Sequence, residues 1–140
     1  MCLWHAVRIK SEEDIICYKL FYKRDSNNIL YSLYRRSVYE LNHIKNTRAE
    51  NPQIYCSEFL GVKTYHIEGS ALHSFANYED AKKYKKECKY HKAIIVKCII
   101  PKNSKYIYEG VFSDVKSYAS QKLKPIEIIQ ENNESDTNLY

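Results

Sequence analysis

The part of the sequence that most constrains the fold is an almost uninterrupted apolar run at residues 93–100, which Pro101 ends. A run rich in Ile and Val is typical of a strand covered on both faces, since neither face then has to meet water. Lys97 is its one charged residue. Proline has no backbone N–H to donate to a ladder, so the strand should end before Pro101. We therefore predict that residues 93–100 form a central strand of a sheet.

The segment before this run has the pattern of a short strand followed by a helix. Leu72–Phe75 alternates in polarity, which predicts a strand. Asn77 is a good helix N-cap, and Glu79 and Asp80 complement the positive end of the helix dipole. The helix is expected to run to about Cys88, with an apolar stripe that packs on the sheet. That stripe consists of Ala81, Tyr84 and Cys88.

Further strands are predicted wherever β-branched and aromatic runs lie between turn residues. They cover residues 3–9, 15–23, 29–34, 38–41, 54–59, 62–67, 106–108 and 118–129. The Asn-rich turn at 25–28 and Gly61 each predict a β-hairpin. Residues 42–53 predict a solvated loop, and Pro125 predicts an edge or a bulge in the last strand.

These elements together predict the α+β class, with a mostly antiparallel or mixed sheet and one clear helix packed on it. At 140 residues and 44% apolar content, the chain is large enough for one core. We expect a single α+β domain over residues 1–129, followed by a flexible acidic tail at 130–140.

The amino-acid composition favours some classes of function and excludes others. The chain has 14 Tyr, which favour strands and interaction surfaces, and a net charge of +5, which suits an acidic partner or nucleic acid. With three Gly in all, a glycine-rich phosphate loop is excluded, and no common catalytic motif is present. No apolar window is long enough to span a membrane.

The five cysteines predict free thiols in a reducing cytoplasm. They contain no Cys-x-x-Cys pair, and the start of the chain lacks the apolar core of a secretory leader. Two Cys-x-x-His pairs, Cys2 with His5 and Cys88 with His91, have a spacing that would suit zinc. We favour chance spacing over a metal site, and expect no cofactor.

The first candidate site is a patch of basic and aromatic residues, which together can track a phosphate backbone and stack bases. Its members are Lys82, Lys83, Lys85, Lys86, Tyr84, Tyr90, Arg35 and Arg36. The alternative is that the lysines form the solvated face of an amphipathic helix.

The second candidate is a ligand cleft at His73 and Ser74. On an alternating strand, one of the two should face the open side of the sheet, where it would meet a ligand. The alternative is a histidine that fixes the strand-to-helix turn by a hydrogen bond to a neighbouring loop. A nucleophilic Cys98 with His73 as base is disfavoured, because a thiol in a core strand has a raised pKa.

Four stretches carry a resemblance to known groups. They are Leu72-His73-Ser74-Phe75, Glu79-Asp80-Ala81, the run from Val96 to Lys102, and Tyr118-Ala119-Ser120. Over these the chain resembles small uncharacterised proteins of phages and mobile elements from Bacteroides-like bacteria. It also resembles a small domain found beside pentapeptide repeats in viral proteins. The resemblance implies a phage-like origin.

A weaker similarity is to ADP-ribosyltransferases, through the order of a basic strand, a His or Ser strand, a helix and an Ile-Pro-Lys strand. Such enzymes carry a Glu near the last strand, where this chain has Ser120-Gln121-Lys122-Leu123. The similarity implies nucleotide binding near His73 and Ser74 without the expected catalytic carboxylate.

From these observations we expect a small accessory protein that acts in the host cytoplasm by binding a host macromolecule rather than by catalysis. A host protein or ribonucleoprotein, such as a component of a defence system that targets nucleic acids, is the expected partner. The alternatives are an ADP-ribosyltransferase-like nucleotide-binding protein and a direct RNA- or DNA-binding protein. Neither a catalytic residue nor a membrane partner is predicted.

Overall fold

The computed structural model describes residues 3–24, 26–34, 37–47, 51–67 and 71–129, and the predicted tail at 130–140 lies outside them. In chain order the elements are β1 (Trp4–Arg8), β2 (Ile15–Tyr22), β3 (Ile29–Ser32), β4 (Val38–Glu40), β5 (Lys45–Asn46), β6 (Ile54–Phe59), β7 (Val62–Ile67), β8 (Leu72–Phe75), α1 (Tyr78–Glu87), β9 (Ile94–Ile100), β10 (Ile107–Phe112), β11 (Val115–Ser120) and β12 (Lys122–Ile129). The predicted class is confirmed in its coarse form: the chain is α+β, and antiparallel sheet dominates.

The main sheet has ten strands, in the order β1-β10-β11-β8-β2-β9-β12-β5, with β3 attached to β2 and β4 attached to β3. Strand β9 therefore lies inside the sheet between β2 and β12, as its apolar sequence predicts. It pairs with β2 along its whole length, from Ile94 opposite Phe21 to Ile100 opposite Ile15. Within the described residues every strand pairing is antiparallel.

The helix α1 packs on β2 and β8 through Ala81 and Tyr84, as the apolar stripe predicts. Asn77 is its N-cap residue, but its side chain makes no capping bond and instead donates Nδ2 to Asp80 Oδ2 at 3.1 Å. The prediction that Cys88 belongs to the apolar stripe is wrong. Cys88 is exposed, because the helix ends at Glu87 and Cys88 is the C-cap residue.

The predicted strand at 118–129 is two strands, because the chain bends at Gln121. The Gln121 N–H donates to the Tyr106 carbonyl at 3.2 Å, and its Oε1 accepts from the Lys105 N–H at 2.6 Å. Beyond this bend, the pairing of β12 with β9 shifts register after Pro125, so the predicted bulge is confirmed. The predicted loop at 42–53 contains the short strand β5, which pairs with the start of β12.

Strands β6 and β7 form a separate two-stranded sheet, the predicted hairpin across Gly61. Its turn residues, Leu60 and Gly61, have φ values of 51° and 80°, which is the left-handed pair of a type I′ turn. The base of the hairpin joins the rest of the protein where Ile67 pairs with Leu3. All six residues of β6 are exposed.

Candidate functional site

The lysines of the predicted basic-aromatic patch lie on α1. Lys82, Lys83 and Lys86 are exposed, and Lys85 is partly buried. Lys83 forms an exposed ion pair with Glu87, at 3.8 Å between Nζ and Oε1. Such surface pairs contribute little to stability. The lysines are therefore placed on the solvated face of the helix, where both interpretations of the sequence put them.

Tyr84 differs from this placement, because its side chain belongs to the core. Its ring lies 5.3 Å from those of Phe75 and Phe112, centroid to centroid, on the buried side of the helix with Ala81. Burial, followed by the hydrogen bond that Tyr84 shares with Tyr34, raises the pKa of Tyr84. A ring packed in this way is not free to stack on a base.

The end of β3 reaches the helix through a cluster of tyrosine hydroxyls. The hydroxyl oxygen of Tyr34 lies 2.5 Å from that of Tyr84 and 3.4 Å from that of Tyr90. Arg35 and Arg36, the other basic members of the predicted patch, follow Tyr34 in sequence but lie outside the described residues.

The second candidate site lies along one edge of β2, where two different strands, β8 and β3, pair with successive parts of β2. Tyr18 of β2 pairs with Phe75 of β8, and further along Phe21 pairs with Ser32 of β3. Between these points Lys19 and Leu20 have no strand partner on that edge within the described residues. The gap opens a cleft, and we call it the fork cleft. Its lining is Lys19, Leu20, Leu33, Tyr34, His73, Ser74, Phe75 and Tyr84.

The fork cleft is small, with about 20 Å³ of space open to water. The residues around it divide into two kinds. Leu20, Leu33 and Phe75 are apolar, while a lysine, a histidine, a serine and two tyrosines are polar. A space of this size holds about one water molecule, well below the ordinary volume of a small-ligand site.

His73 is buried in the strand rather than directed at solvent. Its Nδ1 lies 3.0 Å from the carbonyl oxygen of Ala71, just before the strand begins. Burial, followed by the positive charge of Lys19, lowers the pKa of His73 to about 4. The ring is therefore neutral near pH 7, and the short contact makes Nδ1–H the donor to Ala71. This bond is of the structural kind that the alternative interpretation describes.

Ser74 is only 1% exposed, and it lines the fork cleft. Its hydroxyl makes no hydrogen bond of regular geometry, but it lies close enough to Cys17 to lower the pKa of that thiol. The buried hydroxyl therefore faces the Cys17 sulfur.

Lys19 is the cleft residue that sequence reasoning missed. Its Nζ donates to the carbonyl oxygen of His73 at 2.6 Å and lies 5.9 Å from the ring centroid of Tyr39. Although the side chain keeps some contact with solvent, burial lowers the pKa of Lys19 to about 8. Its sequence signal was a lone lysine between Cys17 and Phe21, on the apolar face of a buried strand.

The two cysteines of the core strands have thiols with raised pKa values. Cys17 and Cys98 are fully buried, and burial raises the pKa of both thiols, that of Cys17 to about 12. The Cys98 Sγ donates to the Val96 carbonyl at 3.5 Å rather than to His73. This agrees with the expectation that a thiol in a core strand is inert.

The proposed zinc ligands do not assemble in the part of the chain that the structure describes. His5, Cys88 and His91 are exposed, and Cys2 lies outside the described residues. Among the described side chains, no three metal-ligating groups come together.

The helix in those same residues is too short and polar to cross a membrane.

Comparison with known proteins gives no assignment for this arrangement. No protein-family model, no curated protein and no solved structure matches the chain.

Proposed function

We propose that this protein acts by binding a partner protein and that the β6–β7 hairpin is the surface it uses. The observation that carries the proposal is the outer edge of β6, which has no strand beside it in the described residues. Native proteins usually cover, shorten or charge such edges, because a free edge pairs readily with another chain. A six-residue edge that is left open is therefore suited to receive an extended segment of a partner.

The turn fixes which backbone groups face this edge. In a two-residue hairpin the residues flanking the turn, Phe59 and Val62, bond to each other, and the bonded pairs then alternate along the strands. The N–H and C=O groups of Ile54, Cys56 and Glu58 consequently point away from β7. The same alternation turns Ile67 outward on β7, and Ile67 does bond to Leu3, at 2.8 and 2.9 Å.

The side chains of the hairpin add apolar surface to the free edge. Phe59 at the tip is 76% exposed, Leu60 87% and Val62 66%. Near the base, the ring of His66 is stacked between Trp4 and Tyr55, at centroid distances of 4.4 and 5.3 Å. Exposed apolar and aromatic groups that adjoin in this way are typical of protein-binding surfaces.

A protein partner fits this surface better than a nucleic acid does. Glu58 and Lys63 face each other across the hairpin, so their charges offset. A phosphate backbone needs an excess of positive charge, which the strands of the hairpin lack. The resemblance to phage proteins favours a host protein as the partner, in the host cytoplasm. A defence component that targets nucleic acids is the class that we propose.

The test compares two proline variants by affinity purification of the tagged protein from host lysate. Cys56→Pro removes an outward N–H from the free edge of β6 and leaves the bonds within the hairpin intact. Lys63→Pro does the same on the outer edge of β7 and serves as the matched control. A third variant, Lys82→Glu with Lys86→Glu, reverses charge on the helix. Each preparation is captured with and without nuclease.

The proposal is supported if a protein co-purifies in stoichiometric amount and remains bound after nuclease treatment. The Lys63→Pro and helix variants should also capture this protein, and Cys56→Pro should not. Material that nuclease or helix charge reversal removes would instead show nucleic-acid binding and overturn the proposal. So would a wild-type protein that is dimeric by light scattering while Cys56→Pro is monomeric, since the edge would then be occupied by a second copy.

A further inference from the structure

We propose that Cys17 and Cys98 are a redox pair, which a disulfide oxidant such as oxidised glutathione converts from a dithiol into a cross-strand disulfide between β2 and β9. Both thiols are free in the structure. The pair lies in the main sheet rather than in the hairpin, so the inference does not depend on the proposed function.

The first argument is the register of the two strands. Cys17 of β2 is the direct partner of Cys98 of β9, inside a continuous ladder that has no shift in register. Directly opposite residues of an antiparallel pair have Cα atoms about 4.5 or 5.5 Å apart, depending on whether they bond to each other. Disulfides join residues whose Cα atoms are about 4.4–6.8 Å apart. Either kind of pair therefore lets the bond form while the strands keep their positions.

The second argument is that both side chains point to the same side of the sheet. Directly opposite residues of a strand pair share a face, and both cysteines belong to one cluster of fully buried core residues. The pKa of Cys98 is raised first by burial and then by Cys17, which places the two sulfurs near each other. Replacing two S–H groups by one S–S bond removes two hydrogen atoms, so the packed core has room for the product.

The remaining thiols of the described residues lie elsewhere. Cys56 is exposed on β6 of the hairpin, and Cys88 is exposed at the end of α1. Cys17 and Cys98 are enclosed by the core, so neither can reach a second copy of the folded chain. The expected product is therefore one bond within a single chain.

The reaction consumes one molecule of glutathione disulfide. One cysteine thiolate attacks it, which forms a mixed disulfide and releases one glutathione thiolate. The second cysteine thiolate attacks the mixed disulfide, which closes the protein bond and releases the other glutathione. The two protons that the cysteines lose are taken up by the two glutathione thiolates. Because buried thiols react slowly, the oxidant meets the pair when β2 and β9 separate or before they have paired.

The fold and the disulfide should stabilise each other. The bond would connect residues far apart in sequence, with β3 to β8 and α1 between them. Bringing such distant residues together costs entropy in the unfolded chain, whereas the fold already holds them side by side. By linkage, the fold favours the bond by the same factor by which the bond favours the fold.

The test measures the effective concentration of the two thiols toward each other. A chain with Cys2→Ser, Cys56→Ser and Cys88→Ser keeps only Cys17 and Cys98. It is equilibrated in mixtures of reduced and oxidised glutathione, once by refolding in buffer and once in urea, and the intact mass gives the fraction that has lost two hydrogen atoms. The matched control carries Cys2→Ser, Cys56→Ser and Cys98→Ala, so that Cys17 can pair only with the exposed Cys88. Thermal denaturation verifies that each preparation is folded.

We expect the effective concentration of Cys17 and Cys98 to be at least about a hundredfold higher in buffer than in urea. The Tm of the oxidised protein should exceed that of the reduced protein by at least about 5 °C. In the control, folding should bring no such increase. Equal values in buffer and urea for a folded protein would overturn the proposal, and so would a disulfide-linked dimer or a glutathione adduct as the main product.

The wild-type chain gives a second readout that does not depend on the serine substitutions. After refolding in the same oxidising mixtures and proteolytic digestion, the peptides that contain Cys17 and Cys98 should be joined to each other. Recovery of both peptides with free thiols, while the exposed cysteines are oxidised, would contradict the assignment.

Discussion

The amine of Lys19 donates a hydrogen bond to the carbonyl oxygen of His73 at 2.6 Å. The bond crosses the gap between β2 and β8, just beyond the point where the two strands stop pairing. A lysine side chain thus connects the strands where the backbone ladder does not. The same contact brings a cation close to a neutral histidine, and the two groups oppose each other's protonation.

Replacing Lys19 by Met should change how stability depends on pH. The pKa of Lys19 is about 8 in the fold and 10.5 as its ordinary value, so protonation opposes folding below pH 8. The unfolded chain binds more protons between these values, and wild-type stability therefore rises with pH relative to the variant. Between pH 7 and 9.5, the free energy of unfolding of the wild type should rise by about 2 kcal/mol relative to that of Lys19→Met. Urea denaturation at the two pH values measures this difference. Parallel profiles would show that the amine titrates normally.

His73 should make the protein sensitive to mild acid. Its pKa falls from 6.5 to about 4, so the ring is neutral in the fold and charged in the unfolded chain between those values. Wild-type stability relative to His73→Asn should therefore fall by up to about 3 kcal/mol as the pH drops from 6.5 to 4. Asn retains an N–H for the Ala71 carbonyl. His91→Gln, at an exposed site, is the control, and an equal pH effect there would refute the assignment to His73.

Two glycines should tolerate Ala very differently. At Gly110 a Cβ would collide with the Trp4 carbonyl oxygen and lie 2.8 Å from Leu3 Cγ, so β1 cannot keep its position beside β10. We expect Gly110→Ala to lower the free energy of unfolding by about 3 kcal/mol. At Gly61 nothing lies within 4 Å of a Cβ, and only the φ of +80° opposes Ala, which costs about 1 kcal/mol. Chemical denaturation of the two variants checks this order, and equal losses would contradict it.

The thiols should react in two classes. Cys56 and Cys88 are exposed, whereas Cys17 and Cys98 are buried with raised pKa values. In a Cys2→Ser background, Ellman's reagent at pH 8 should label the first pair rapidly and the second only after denaturation. Rapid labelling of Cys17 in the native protein would show that the core beneath the fork cleft opens.

The elements that could be predicted from the sequence are those with a local cause. The apolar run that became β9 and the turn at Gly61 each contain their own signal within a few residues. The helix start also has a local signal, since Asn77 and the acidic residues Glu79 and Asp80 mark its first turn. The bend at Gln121 was missed, because it depends on bonds to Lys105 and Tyr106.

The candidate site was predicted only in part, because its geometry depends on which strands share an edge. His73 and Ser74 line the fork cleft, but no local pattern indicates that β8 and β3 both pair with β2. Lys19 enters the site through that arrangement alone. Tyr84 satisfied two patterns at once, the apolar stripe and the basic-aromatic patch, and in the fold its ring packs against Phe75.

The hairpin has a consequence for how this chain can change over evolutionary time. Since none of the β6 side chains is buried, substitutions there remove almost no apolar burial from the core. Folding therefore limits mutational drift at these positions very little. Under the proposed function, this arm could follow a changing target while the rest of the molecule stays constant.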